Sequence, residues 1–188
     1  CVKEGVDEVG LYSTGDPFMT KNLKDFIFYA KDKGIKRVYI TTNGALASFN
    51  KAKECIDAGL DSMKFSINAG TRESYKIIHG HDDFDKVFKN LDDIFNYKIK
   101  DNLKIQLLSS FVYTNLTYQE IDKFKQTFSK YFEEMVFFPV GGQGGRTTEV
   151  SKKITNKIEN VDKSFKYKPC EMLWNRLHLT ADGYLTAC

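Results

Sequence analysis

The sequence has no long apolar run and no block of residues with one sign of charge. No stretch approaches the roughly 18–20 apolar residues that are needed to cross a membrane. The net charge is only +3, and acidic and basic residues are interleaved along the chain, which argues against a nucleic-acid-binding surface. We therefore expect a cytoplasmic protein with no membrane or nucleic-acid partner.

Cysteine is also scarce, with four residues in 188. The length and the 41% apolar content suggest one main domain with one core. Cys1 and Cys55 occur in helix-like segments without nearby partners and are interpreted as plain thiols. Cys170 and Cys188 flank an Asp-Gly turn. In a reducing compartment such a pair indicates metal or redox chemistry more often than a structural disulfide.

A strand-and-helix unit recurs in the first half of the chain. It is seen in "GVDEVGLYSTGD" from Gly5, "GIKRVYITTNGA" from Gly34 and "GLDSMKFSINAG" from Gly59. Each copy begins with glycine, continues into a strand-like run and ends in small polar residues, and helical patterns separate the copies. This spacing fits parallel strands joined by helices. The predicted strands are 8–13, 37–42, 62–68, 104–113 and 134–140, with helices after the first four.

Alternation along the strands indicates which kind of parallel sheet this is. In the segment 63–68, apolar residues occupy one face and polar residues the other. Central strands of a doubly wound sheet are usually apolar on both faces. One polar face therefore favours a partial parallel barrel with a wet interior, and edge strands of an open sheet are the alternative.

Small polar residues follow the C-terminal ends of the first three strands, in the segments 13–17, 41–44 and 66–68. Ligands of parallel βα folds bind at these strand ends. Gly15 would allow a ligand to approach the backbone closely, and Pro17 would fix the turn that follows. Each segment alone is a common turn, so the prediction depends on their order on consecutive strands.

Taken together, these segments resemble the radical S-adenosylmethionine (SAM) superfamily. "STGDPF" is similar to the family's Gly-Gly-Glu-Pro motif, and "YITTNGALA" is similar to its Thr-Asn-Gly. "MKFSINAGTRESYKIIHG" and "FVYTNLTYQEI" resemble the segments at its fourth and fifth strands. The resemblance covers residues 1–142 and implies an α/β fold, a partial parallel (βα) barrel over residues 1–145.

The resemblance also implies a SAM site at the strand ends. The segment Thr14, Gly15, Asp16 and Pro17 would present backbone carbonyls and a carboxylate to the methionine ammonium. The other implied contacts are Asn43 near the methionine end, Ser66 and Asn68 at the ribose hydroxyls, Ser110 at the carboxylate, and Gln143 with its neighbouring glycines at the adenine.

The sequence departs from the family pattern in several places. The departures are Thr14 for Gly, Asp16 for Glu, Asn68 for Asp and His79 for Arg. All four are mild and polar, so they affect fine positioning. The larger departure is that CxxxCxxC, whose cysteines hold the family's [4Fe–4S] cluster, does not occur in the 188 residues. We therefore expect a longer parent to supply that motif and its βα unit, and this segment alone to lack radical chemistry.

For the intact parent, the resemblance implies an oxidoreductase or maturase-type enzyme. Such an enzyme takes an electron from a donor, cleaves SAM reductively at the cluster and abstracts hydrogen from its substrate. Relatives act on peptides, sugars and small metabolites, and no residue of this sequence chooses among these classes.

The C-terminal segment carries the spacing C-x12-G-x4-C, formed by Cys170, Gly183 and Cys188. This spacing resembles the start of the auxiliary-cluster region of SPASM and twitch-type radical SAM enzymes. "LHLTADGYLTAC" is predicted to form a β-hairpin with a type I′ turn at Asp182-Gly183. The implied organisation is a linker over 146–169, with one short helix, and the beginning of an auxiliary iron–sulfur domain over 170–188.

Other interpretations of the chain stay open from the sequence. The two cysteines suit a zinc knuckle assisted by His178, or a disulfide. The glycine-rich "VGGQGGR" is a loose match to a phosphate-binding loop, which would indicate an iron-free barrel enzyme acting on a phosphorylated small molecule. A non-catalytic binding domain with a zinc hairpin is the third possibility.

Overall fold

The computed structural model of the chain describes residues 2–141, 148–155 and 172–186. The chain divides into two compact units, residues 1–158 and residues 159–188. The first unit contains one parallel sheet with its helices, and the second contains a small antiparallel hairpin. Within the described residues, no helix combines the length and the apolar character that crossing a membrane requires.

The first unit is built on five parallel strands that lie side by side in chain order. They are β1 (Glu8–Gly10), β2 (Arg37–Thr42), β3 (Ser62–Ser66), β4 (Gln106–Tyr113) and β5 (Glu134–Pro139). All five predicted strands are confirmed, although β1, β3 and β5 end earlier than predicted and β4 begins later. Strand β3 ends before Asn68 because that residue has a left-handed backbone, with φ of 58°.

Helices connect each strand to the next. They are α1 (Leu23–Asp32), α2 (Phe49–Asp57), α3 (Arg72–His79), α4 (Phe84–Lys100) and α5 (Ile121–Phe128), and α6 (Thr148–Thr155) follows β5. Short 3₁₀ turns cover Val2–Glu4, Pro17–Met19, Tyr118–Glu120 and Ser129–Tyr131. The result is a partial (βα) fold of the kind that the sequence predicted.

Among the described residues, helices α1 to α5 pack on one face of the sheet. On β2 and β3, the side chains of Val38, Ile40, Met63 and Phe65 are fully buried against them. The alternate residues of the same strands are mostly half-buried and point to the opposite side. The predicted polar face is therefore present, and it forms the open face of the sheet.

Aromatic rings fill much of the space between the sheet and the last helices. Phe111 on β4 packs against Phe124 on α5 with ring centroids 4.9 Å apart, and Phe124 packs against Phe128 at 4.7 Å. Phe128 and Tyr131 are almost completely buried. Rings in such tilted contacts add to the stabilisation from burial, so this cluster fixes the helical layer behind β4 and β5.

The second unit contains the short helix α7 (Met172–Asn175) and the strands β6 (His178–Leu179) and β7 (Leu185–Thr186). The predicted hairpin is confirmed, but the predicted type I′ turn is wrong. That turn requires a positive φ at both central residues, whereas Gly183 has φ of 85° and Asp182 does not have a positive φ. The Thr180 N–H donates to the Tyr184 carbonyl at 2.9 Å and closes a loop of three residues, within which the Gly183 N–H donates to the Thr180 carbonyl at 3.0 Å.

Candidate functional site

The C-terminal ends of the first four strands meet at one edge of the parallel sheet. The loop 11–17 follows β1, Asn43 follows β2, and Asn68 comes two residues after β3. Ser110 on β4 lies opposite Ser66 in the register of the sheet. The structure therefore brings the described members of the predicted site to the same edge, and Ser66 and Ser110 lie next to each other on the open face.

The carboxylate of Asp16 joins the loop after β1 to the end of β2. One oxygen, Oδ2, accepts hydrogen bonds from the Thr42 hydroxyl at 2.6 Å and from the Asn43 N–H at 3.0 Å. The other, Oδ1, accepts from the Phe18 N–H at 2.9 Å and caps the 3₁₀ turn that begins at Pro17. Because a carboxylate offers about four acceptor positions, Asp16 has room for about one further bond.

The backbone polar groups of the preceding residues 13–15 have no hydrogen-bond partner among the described residues. A Cβ placed on Gly15 would have no atom within 4 Å, and its φ lies outside the left-handed region. Nothing in the described residues therefore requires glycine at this position. The exposed carbonyls are suited to accept hydrogen bonds from a ligand ammonium group.

The turn after β2 is fixed from behind by helix α4. The buried amide of Asn90 donates a hydrogen bond of 2.9 Å to the Gly44 carbonyl. Gly44 has φ of 85°, and a Cβ there would approach the Val87 side chain to 2.9 Å. The Asn43 side-chain oxygen accepts from the Ala45 N–H at 2.9 Å, within the same turn. The NH₂ group of Asn43 is left without a partner among the described residues and is available to a ligand.

Ser66 and Asn68 form a second polar pair, at the end of β3. The Asn68 side-chain oxygen accepts a hydrogen bond of 2.8 Å from the Val112 N–H on β4, and its NH₂ donates to the Ser66 hydroxyl at 3.0 Å. Through these bonds, the side chain of Asn68 holds its left-handed backbone against β4. Asn is one of the few non-glycine residues that adopt this conformation at modest cost.

His79 supports this segment from the end of α3. Its Nε2 lies 2.7 Å from the Ile67 carbonyl, and its ring stacks on that of Tyr75 with centroids 4.2 Å apart. Burial lowers the pKa of His79, and the bond to Ile67 opposes this shift in part. A neutral imidazole with its proton on Nε2 therefore donates to the residue that precedes Asn68.

Glu120 fixes the start of α3 and was not identified from the sequence. Its carboxylate accepts hydrogen bonds from the Gly70 N–H at 2.8 Å, the Thr71 hydroxyl at 3.0 Å and the Ser74 hydroxyl at 2.5 Å. The Thr71 hydroxyl also caps α3 by accepting from the Ser74 N–H. That local cap is visible in the sequence. The Glu120 contact is not, because 49 residues separate it from Thr71.

Three predicted residues, Gln143, Cys170 and Cys188, lie outside the described residues. Within the described residues, no group of three or more His, Cys, Asp and Glu side chains is arranged to hold a metal ion. Cys55 is a free, buried thiol, and burial raises its pKa to about 12. It is therefore a protonated core residue, in agreement with its interpretation as a plain thiol.

Comparison with known proteins gives one matching family model, described as "Radical SAM superfamily", over residues 2–129. A probable GTP 3′,8-cyclase from Sulfurisphaera tokodaii is 30% identical over all of this chain and 67% of its own length. The GTP 3′,8-cyclase of Thermodesulfovibrio yellowstonii is 27% identical over 93% of the chain and 63% of its own length.

A third relative, the probable GTP 3′,8-cyclase of Metallosphaera sedula, is 34% identical over 53% of the chain and 31% of its own length. The chain thus spans about a third of this relative and about two thirds of the other two.

Proposed function

The chain belongs to the radical SAM superfamily, and we propose that it is the core of an enzyme that binds SAM along the C-terminal edge of the sheet. The superfamily implies SAM and a [4Fe–4S] cluster as cofactors. When bound, they supply the radical that abstracts hydrogen from a substrate, while the protein binds, orients and shields. We propose that the open face of the sheet is the substrate side.

The observation that carries the proposal is the loop of residues 13–15. Its carbonyls have no partner among the described residues, and the Asp16 carboxylate holds the loop against the end of β2. A loop that is fixed before the ligand arrives loses little freedom on binding. The carbonyls of Thr14 and Gly15 suit the methionine ammonium of SAM, and Asp16 acts chiefly by positioning them.

The second polar pair suits the ribose of the same ligand. The Ser66 hydroxyl and the remaining N–H of Asn68 face the same edge. The hydroxyl can donate and accept hydrogen bonds and the N–H can donate one, which suits sugar hydroxyls. The free NH₂ of Asn43 lies between this pair and the Asp16 loop in strand order. Ser110, next to Ser66, is proposed for the SAM carboxylate, and Gln143 for the adenine.

We also propose that Cys170 and Cys188 ligate an auxiliary iron–sulfur cluster. The support is the hairpin of the second unit, in which His178 pairs with Thr186, two residues before Cys188. Thiolates are the ordinary ligands of such clusters, and a cluster, like a zinc ion, requires further ligands besides these two cysteines. The proposed domains are accordingly the core over 1–145, a linker over 146–169 and the auxiliary region over 170–188.

GTP is the substrate that we propose to test first. The support is that relatives aligned with 53%, 93% and 100% of this chain carry the name GTP 3′,8-cyclase. A nucleotide is a small metabolite with several polar and charged groups, which suits an open face that carries both hydroxyl and charged side chains. An electron donor is the other partner that the proposed reaction requires.

The test uses the protein encoded by the complete gene, reconstituted with iron and sulfide without oxygen. SAM and dithionite are added with or without GTP, and 5′-deoxyadenosine and GTP are quantified. Formation of 5′-deoxyadenosine is expected, and its absence in iron-loaded protein would overturn the radical SAM proposal. If it forms while GTP is not consumed, the enzyme has another substrate.

The auxiliary cluster has its own readout in the same protein. Replacing Cys170 and Cys188 together by alanine is expected to lower the iron bound per chain while the SAM-cleaving cluster is still reconstituted. Zinc in place of iron in the wild-type protein, or an unchanged iron content in the double variant, would contradict this assignment.

A further inference from the structure

The open face of the sheet carries four charged strand residues, namely Glu8, Arg37, Lys64 and Glu134. Arg37 lies 3.8 Å from Glu8 and donates a 3.3 Å hydrogen bond to Gln106. Glu134 is exposed, on the edge strand β5. Lys64 differs from all three because it lies in the middle of β3, the central strand of the five.

Lys64 is half-buried, and no ion pair or hydrogen bond joins its ammonium group to another residue in the described part of the chain. Its neighbours in register are Thr41 on β2 and Leu108 on β4. Glu134 lies one strand further, beyond Leu108, and is not within ion-pair distance of Lys64. The cation therefore has no counter-charge among the described residues.

The fold gives no reason for a lysine at this position. Lysine is depleted in strands relative to β-branched and aromatic residues, and no acidic side chain of the described residues pairs with the ammonium group of Lys64. Hydroxyl groups lie near the position: Thr41 is its neighbour on β2, Ser66 lies two residues further along β3, and Ser110 lies opposite Ser66. A lysine ammonium group with hydroxyl donors nearby is suited to bind a phosphate or a carboxylate.

We infer that Lys64 binds an anionic group, a phosphate or a carboxylate, of the substrate. The inference rests on the proposed function, in which the open face is the substrate side. Lys64 comes two residues before Ser66 on β3. It therefore lies about 7 Å from the proposed ribose contact, toward the N-terminal end of the strand. The carboxylate of SAM offers the same chemistry, so the experiment must separate the two sources.

The experiment measures binding by titration calorimetry with four probes, namely inorganic tripolyphosphate, citrate, SAM and GTP, and with guanosine as the uncharged reference. The variants are Lys64→Gln, Lys64→Arg and the control Lys104→Gln. Lys104 is exposed and, like Lys64, has no ion pair in the described part of the chain. Urea unfolding of each variant establishes that its fold is intact.

We expect Lys64→Gln to weaken the binding of tripolyphosphate or citrate by about tenfold or more, which corresponds to the loss of one charged hydrogen bond. Lys64→Arg should keep part of the affinity, and Lys104→Gln should keep all of it. SAM binding should be the same in all variants.

Three results would overturn the inference. They are the absence of any anion binding by the wild-type protein, equal anion affinity in Lys64→Gln, and a loss confined to SAM, which would assign Lys64 to the SAM carboxylate. Failure of the wild-type protein to bind SAM would instead contradict the proposed function. The comparison of anion binding between the wild type and Lys64→Gln would still decide the role of Lys64.

Discussion

The hydroxyl of Thr42 donates a 2.6 Å hydrogen bond to the carboxylate of Asp16, across 26 residues of sequence. The same carboxylate oxygen also accepts from the Asn43 N–H. Two neighbouring strand ends are therefore tied together by one acidic side chain. The polar residues that the resemblance assigns to a ligand are also bonded to one another, so we expect their substitution to affect the fold as well as the proposed binding.

A double-mutant cycle measures this link directly. We expect Asp16→Ala to destabilise the protein by about 2 kcal/mol, because three donors lose their charged acceptor. Thr42→Val should cost about 1 kcal/mol. The double variant should cost less than the sum, since the Thr42 bond is already lost in Asp16→Ala. Urea unfolding at neutral pH gives the three free energies, and strict additivity would show that the bond contributes nothing.

Alanine substitutions at Gly15 and Gly44 distinguish an effect on ligand binding from an effect on folding. We expect Gly15→Ala to leave stability within about 1 kcal/mol of the wild type, because its Cβ meets open space at an ordinary φ. SAM affinity, measured by equilibrium dialysis, should nevertheless fall severalfold because the methyl group enters the proposed ligand space.

Gly44→Ala is the matched comparison and should behave in the opposite way. Its left-handed φ and the approach of its Cβ to Val87 predict a loss of about 2 kcal/mol or more in the free energy of unfolding. If Gly15→Ala bound SAM as tightly as the wild type does, the loop 13–15 would not be the ammonium site.

The sequence was sufficient to predict the five strands and the polar face because both depend on local periodicity. Alternation in 63–68 is a property of neighbouring residues, and the structure reproduces it in the burial of β3. The role of Glu120 was not predictable, because its partners Gly70 and Thr71 lie about 50 residues earlier and only the tertiary fold brings them within 3.0 Å.

The structural role of Asp16 was missed for a related reason. The resemblance assigned its carboxylate to a ligand, and the sequence contains no sign that Thr42 and Asn43 would also bind it. In the hairpin, the local sequence was visible but did not determine the turn, since Asp-Gly fits more than one turn type. The choice between two and three loop residues is made by strand pairing rather than by the dipeptide.

Asn68 and Asn102 test what an asparagine side chain adds in a left-handed conformation. Both have positive φ, at 58° and 50°, so Gly is tolerated by the backbone at either position. Asn68→Gly should cost about 1–2 kcal/mol, because its bonds to Val112 and Ser66 are lost. Asn102→Gly should be close to neutral, since Asn102 is exposed. Urea unfolding of the two variants compares them, and equal costs would contradict the bracing role of Asn68.

His79 gives the protein a specific dependence of stability on pH. Its pKa is lowered in the folded state, chiefly by burial, from an ordinary value of 6.5. As the pH falls below about 6.5, the unfolded chain therefore takes up a proton that the folded chain still resists. Stability from this group is present above that pH and is lost progressively until the folded His79 also titrates.

The expected slope from one such proton is at most about 1.4 kcal/mol per pH unit, and partial exposure of His79 reduces it. Urea unfolding at pH 7.5, 6.5 and 5.5 should show a steeper acid loss in the wild type than in His79→Gln. His81→Gln is the control because His81 is exposed, and it should keep the wild-type slope. An identical pH dependence in the wild type and His79→Gln would contradict the lowered pKa of His79 in the folded chain.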